Sequence, residues 1–230
     1  MPRDPLKRLS EAIVGCRACP RLVAFREEVA RRKRRAYCEA SYWGRPVPGF
    51  GDRNAKIILV GLAPGAHGAN RTGRVFTGDR SGDFLFAALH RAGLANQPTS
   101  IHADDGLALR GIYILLSARC VPPGNLPSRE ELARCAPFFD AELDLLEESR
   151  LVVALGAVAF ETYLGYLARR GHDLPRPRPR FEHGAELRAT PPLPGLIASY
   201  HVSQQNTQTG RLTPAMFDAV LHRARKLAGA

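Results

Sequence analysis

Four of the chain's five cysteines fall in a pattern that can hold a metal. Cys16 and Cys19 form C-x2-C near the N-terminus, and Cys120 and Cys135 form C-x14-C far downstream. A C-x2-C pair presents two thiolates to one centre, and two further thiolates complete a tetrahedral or a cubane set. Pro20 follows the first pair, and Pro122 and Pro123 follow Cys120 closely, a common setting for cluster loops. The spacing does not separate zinc from an iron–sulfur cluster, and buried unligated cysteines are the alternative. The ligands come from the two ends of a long intervening segment, so the site would clamp the N-terminal region onto the rest of the fold. Cys38 has no partner in this scheme.

A second candidate is the loop GLAPGAHGANRTGRVFTGD, Gly61 to Asp79, directly after the apolar run KIILV. It looks like a phosphate cradle, yet it has no Lys, no Cys and a single carboxylate, Asp79, at its far end. A P-loop needs a GK[ST] ending to hold β- and γ-phosphates and Mg2+, so nucleotide hydrolysis is disfavoured. The backbone N–H groups of GANRTG still suit phosphate or base oxygens. Two other loops carry polar groups in unusual settings: CVPPGN with Asn125, and SYHVSQQN with His201.

The elements that must position these loops are apolar runs of strand length: KIILVG (56–61), GIYILLS (111–117), LVVAL (151–155) and GLIASY (195–200). Each is continuous rather than alternating, as expected of strands buried on both faces of a parallel sheet. Helical patterns separate them, at Asp83 to Ala92, Ser128 to Glu148 and Val158 to Arg169, with others at Pro5 to Val14 and from Thr213 onward. The second opens on SREE, a capping-box pattern of Ser128 and Glu131, and the last has Pro214 at its first position. Alternating strands and helices predict an α/β fold, a three-layer αβα sandwich around a central four-stranded parallel sheet. The whole chain, 1–230, reads as a single domain, with Arg169 to Gly184 as an extended surface loop. In such sheets sites form at the carboxyl ends of strands, which selects the loops after Gly61, Ser117 and Tyr200.

Composition narrows the partner. The formal net charge is +11, and only Lys7, Lys33, Lys56 and Lys226 are lysines, so nearly all the cations are Arg. Such a field attracts polyanions, nucleic acid first and anionic membrane as a poorer fit, and Arg suits bidentate phosphate contacts. The run RRKRR (Arg31 to Arg35) fits phosphates or, more ordinarily, a solvated helix face. No apolar run reaches transmembrane length and MPRDPLKRLSEAIVGC has no signal-like core, so the expectation is a soluble, cytoplasmic protein.

Four motifs in order then carry a resemblance that covers the chain from Cys16 to about Pro214. YWGRPVPGFGD, GLAPGAHGANRTGR-x-FTGD, C-x-PP-x-N and H-x-S-x-x-N, with the paired cysteines, resemble the iron–sulfur uracil-DNA glycosylases, family 5 most closely. The resemblance implies a monofunctional DNA repair enzyme that hydrolyses the N-glycosidic bond of uracil, and of other deaminated bases such as hypoxanthine. It implies a [4Fe-4S] cluster, rather than zinc, on Cys16, Cys19, Cys120 and Cys135. The implied partner is double-stranded DNA with a flipped damaged base, met by a nucleoid-associated monomer without membrane contact. The alternative is a non-catalytic, metal-stabilised nucleic-acid-binding protein.

Breaking this bond builds positive charge on the sugar and negative charge on the departing base, so donors must face the base oxygens. His201 is suited to donate there, and Asn125 offers a donor and an acceptor to the base edge. Asp79 orients the attacking water or stabilises the sugar cation, or it caps the next helix. Relatives carry a polar group where this chain has Leu62 and Ala63, which leaves the chemistry to Asp79 and His201. Gly61, Leu62, Ala63, His67, Asn70, Phe76 and Ser203 are expected to shape the base pocket, with Phe76 either stacking on the base or packing in the core. Arg74, Asn206, Gln208 and Arg211 are expected to meet DNA, Gln208 or Arg211 filling the vacated stack. The chain departs from the family at Val202, where Pro is usual, at Leu126, where a basic residue often follows the Asn, and at Val121, where Ala is usual.

Overall fold

The computed structural model describes residues 4–229. Strands β2 (Ile57–Gly61), β3 (Ile112–Leu116), β4 (Leu151–Leu155) and β6 (Gly195–Ser199) pair in parallel in the order β3-β2-β4-β6. Every residue of β2, β3 and β4 is buried, which is why these runs do not alternate. Ile57, Leu59, Ile114 and Val153 face one side of the sheet, and Ile58, Val60, Leu115 and Val152 face the other. Helices α4 (Arg80–Arg91) and α8 (Pro214–Ala228) cover the first side. Helices α5 (Arg129–Asp144) and α6 (Ala157–Arg169) cover the second. The expected αβα sandwich is therefore present.

Two features were not expected. The sheet has six strands, because β1 (Phe50–Gly51) and β5 (Glu186–Leu187) pair antiparallel with β3 and β6 at its two edges. Strands of two residues leave no periodicity to read. The Pro- and Arg-rich stretch after α6 is also anchored: Phe181 packs edge-on against Phe160 at 5.9 Å, and Arg178 pairs with Glu161 at 2.7 Å.

Helix starts follow their caps. Ser128 and Glu131 form the full capping box of α5, as read from SREE. Helix α4 begins at Arg80, earlier than the apolar stripe suggests, because Asp79 Oδ1 accepts from Gly82 N at 3.0 Å. Among the described residues, no helix is long and apolar enough to cross a membrane.

The parallel sheet gathers its loops at one end. Ser117 donates to Gly61 O from both N (2.9 Å) and Oγ (3.1 Å), and Ala118 N donates to Leu62 O at 2.9 Å. Gly156 N donates to Ser199 O at 2.8 Å, so the loops after β2, β3, β4 and β6 are tied pairwise.

Candidate active site

The loop after β2 folds back on itself through a short helix, α3 (Ala69–Thr72), and delivers Asp79 to the N-terminus of α4. One carboxylate oxygen is the cap. The other, Oδ2, lies against the turn: a Cβ built on Gly68 would sit 1.8 Å from it, and one on Gly65 would sit 2.7 Å away. Burial pushes the Asp79 carboxyl above the usual carboxylate range, against the Gly82 and Ser81 backbone donors that lower it. Asp79 is thus a half-buried cap with one carboxylate oxygen left over.

Phe76 holds a left-handed backbone, φ 51°, which is unusual for an aromatic residue and costs energy. Its surroundings enforce it. A Cβ on Gly82 would lie 1.8 Å from Phe76 O, and one on Gly61 would lie 2.7 Å from the ring's Cζ. The ring therefore lies directly over the end of β2, buried on most of its surface.

His201 faces it from the end of β6, with ring centroids 6.2 Å apart and planes inclined by 38°. The Cβ of His201 is 3.3 Å from where a Cβ on Gly156 would be, so that glycine gives the imidazole its seat. Burial lowers the His201 pKa to about 4, which keeps the ring neutral. Asn206, in helix α7 (Gln204–Gln208), donates from Nδ2 to His201 O at 2.9 Å, and Ser203 Oγ caps that helix at Asn206 N, 3.4 Å.

Asp79, Phe76 and His201 thus lie in loops at the carboxyl end of the parallel sheet, with Phe76 and His201 facing each other. Comparison with known proteins decides the matter. The description "Uracil DNA glycosylase superfamily" belongs to the family whose sequence profile matches residues 48–225. A type-5 uracil-DNA glycosylase of Thermus thermophilus is 54% identical over 222 residues, covering 95% of this chain and 96% of the relative. A type-5 enzyme of Pyrobaculum aerophilum is 44% identical over 228 residues, covering 99% and 96%. A type-4 uracil-DNA glycosylase of the same organism is 29% identical over 171 residues, covering 74% and 69%. This chain belongs to the uracil-DNA glycosylase superfamily, in its type-5 branch.

Within this glycosylase the remaining expected residues divide. Leu62 and Ala63 lie half-buried at the mouth of the site beside Gly61, and His67 binds Tyr42 Oη through Nδ1 at 2.9 Å. Burial, with Arg34 and Arg71 nearby, lowers the His67 pKa. Asn125 ends the turn after Pro122 with φ 58° and an exposed side chain, within the η-turn Pro123–Asn125. Leu126 beside it is 74% exposed, whereas Val121 and Val202 are buried, so two of the departures from the family are absorbed by packing.

Three expectations are corrected. Arg74 does not face DNA: it is 6% exposed, pairs with Asp105 at 2.7 Å, and donates to Thr77, Ser100 and Ala103. Asn70, expected in the base pocket, turns inward: it is 1% exposed, and its Nδ2 donates to Arg26 O at 3.2 Å. Asn206 turns inward to His201 rather than outward to DNA. Ser203 is half-buried, with its Oγ committed to the cap. Gln208 and Arg211 are exposed, and the Arg211 guanidinium lies 4.7 Å over the Tyr200 ring, which in turn stacks on His183 at 4.9 Å. In RRKRR, Arg31 and Arg32 pair with Glu28, as on a solvated helix face.

All four paired cysteines line one cavity between the N-terminal helices and the sheet. Cys16 follows α1 (Pro5–Val14), Cys19 opens α2 (Pro20–Arg32), Cys120 follows β3 and Cys135 lies in α5. The lining donates to sulfur: Arg26 Nη1 lies 2.9 Å from Cys120 Sγ and Arg119 N lies 3.5 Å from Cys135 Sγ. Among the described residues, no three His, Cys, Asp or Glu side chains are grouped so as to hold a metal ion. The thiols surround the cavity rather than converge on a point. Arg21 reinforces the same junction, with a bidentate pair to Glu131 at 2.6 and 2.8 Å. Cys38 is exposed and apart.

Sequence reasoning missed Arg26, Tyr42 and the contact of Asn206 with the His201 carbonyl. No local signal marks Arg26 or Tyr42, whose partners Cys120 and His67 are distant in the chain, whereas Asn206 stands five residues from His201 within the H-x-S-x-x-N motif.

Proposed function

We propose that this chain hydrolyses the N-glycosidic bond of uracil in double-stranded DNA, and of other deaminated bases such as hypoxanthine, leaving an abasic site. The observation that carries this reading is the neutral His201, seated against Gly156 and held by Asn206 opposite Phe76. A neutral imidazole donates one N–H to a base oxygen as negative charge grows there, without adding a positive charge beside the developing sugar cation. The flipped base packs beside the Phe76 ring with an oxygen toward His201, where it is desolvated. Asp79 Oδ2 accepts a proton from the attacking water as its oxygen bonds to C1′ and the C1′–N bond breaks. The base leaves as an anion stabilised by His201. Asn125 meets the exposed edge of the base, and Gln208 and Arg211 approach the strands beside it.

Four thiols line one cavity, and Arg26 and the Arg119 N–H point donors at two of the sulfurs, which supports reading the site as a cysteine-held cluster, the group that the motif resemblance implies. Cys16, Cys19, Cys120 and Cys135 would hold a [4Fe-4S] centre there, which serves as a crosslink between the N-terminal helices and the sheet. The protein acts as a monomer on nucleoid DNA.

The deciding experiment is incubation with duplexes carrying one uracil or one hypoxanthine, followed by alkaline cleavage. Strand breaks at the lesion are expected, and an undamaged duplex stays intact. Tight DNA binding with no break at either lesion would eliminate the proposal.

A further inference from the structure

Arg26 lines the cysteine cavity and takes no part in the reaction. It is 2% exposed, its Nη2 donates to Cys16 O at 3.1 Å, and its Nε has no partner. Among the described residues no carboxylate pairs with it: neighbouring Glu27 turns outward to Arg17 at 2.5 Å. The contrast is Arg119, equally buried, which has Glu142 at 2.5 Å. A guanidinium carries its charge permanently, and a buried charge without a counterion is strongly destabilising. Four neutral thiols cannot offset it. Four thiolates around a cluster carry net negative charge and can.

The residue also reaches the other way. Its carbonyl accepts from Asn70 Nδ2 at 3.2 Å, Asn70 N donates to Gly65 O at 3.0 Å, and Gly65 lies against Asp79 Oδ2. A continuous set of contacts therefore runs from Cys120 Sγ to the carboxylate of the site.

We infer that Arg26 is the built-in countercharge of the cysteine-bound cluster and the residue through which that cluster steadies the loop carrying Asp79. The inference rests on the cluster reading and goes beyond it. Arg26 touches no substrate, so it is a positioning residue, and its removal acts on the cluster first. Losing a positive charge and a hydrogen bond at a ligating sulfur disfavours the reduced, more negative state, which moves the midpoint potential to more negative values.

The test uses the full-length protein purified without air, as wild type, Arg26→Met and Arg26→Lys. Iron and sulfide per chain, visible absorbance, midpoint potential, and the rate of iron loss to a chelator are measured, with single-turnover uracil excision alongside. Arg26→Met is expected to lose iron about tenfold faster or more, with a more negative potential and slower excision. Arg26→Lys keeps the charge but not the fork to Cys16 O, so it should hold its potential near wild type while still releasing iron faster. Wild-type and Arg26→Met proteins with equal potentials and equal iron release would overturn the inference. Should the Met variant not fold, wild-type iron release by Arg26→Lys would overturn it instead. A colourless, iron-free wild type that still excises uracil would remove the cluster reading itself, a separate failure.

Discussion

Gly68 is a glycine because Asp79 needs the room: a Cβ there would lie 1.8 Å from Asp79 Oδ2. The carboxylate and the turn are built for each other, which separates the two uses of Asp79. Asn caps a helix as well as Asp does. Asp79→Asn should therefore fold with unchanged or higher stability, since a buried carboxylate is relieved of its charge, while excision falls by about a hundredfold or more. Gly68→Ala should show a comparable loss with the carboxylate still present but displaced. Single-turnover rates beside thermal melts check both, and a wild-type rate for Asp79→Asn would remove Asp79 from the chemistry.

The neutral imidazole makes a pH prediction. The His201 pKa is lowered from 6.5 to about 4 by burial, so the unfolded chain takes up a proton between those values that the folded chain does not. Stability gained from the neutral ring is complete above pH 6.5 and is lost as pH falls toward 4. Denaturant titrations at several pH values should show that loss in wild type and less of it in His201→Asn. No titration of His201 should appear in the excision rate down to near pH 4; a loss of rate at acid pH belongs instead to Asp79, whose carboxyl burial raises, and a fall centred at 6.5 that disappears in His201→Asn would contradict the assignment.

Asn206 should act on rate rather than affinity. Its Nδ2 fixes the His201 carbonyl at 2.9 Å, so Asn206→Ala lets the imidazole shift. A misplacement of this kind costs between about tenfold and a hundredfold in the chemical step. Affinity for uracil-containing duplex should hardly move. A large change in affinity with an intact single-turnover rate would instead return Asn206 to the DNA surface.

Arg74 and Arg211 make an opposed pair. Arg74→Ala leaves Asp105 buried without its partner and should cost roughly 3–5 kcal/mol of stability. Arg211→Ala should leave the melt unchanged and lower the salt dependence of DNA binding by about one unit of slope. Measuring both properties for both variants tests the assignment. An unchanged melt for Arg74→Ala with a reduced salt slope would reverse it.

The difference between these two arginines marks what the sequence could reveal. Continuous apolar runs disclosed the four parallel strands, because burial on both faces leaves no alternation. Motif order disclosed the loops that hold Asp79, Phe76 and His201. As polar residues in site loops, Arg74 and Asn206 suggest DNA contacts and Asn70 suggests the base pocket. Their inward turns depend on Asp105, Arg26 and the His201 carbonyl, partners up to 44 positions away that no local pattern announces. Arg26 itself sits in PRLVAFREEVARR, where one more arginine in a basic helix carries no mark of burial.

The two-residue strands at the sheet's margins have a consequence for life at high concentration. Unpaired backbone along a sheet edge is a template on which another chain can add a strand. Here β1 and β5 each expose only two residues of ladder, and Pro191 and Pro192, shortly beyond Glu186–Leu187, cannot donate a backbone hydrogen bond. A core whose strands are almost wholly apolar is thereby closed off on both sides, so the parallel sheet that holds the site offers little purchase for edge-to-edge aggregation.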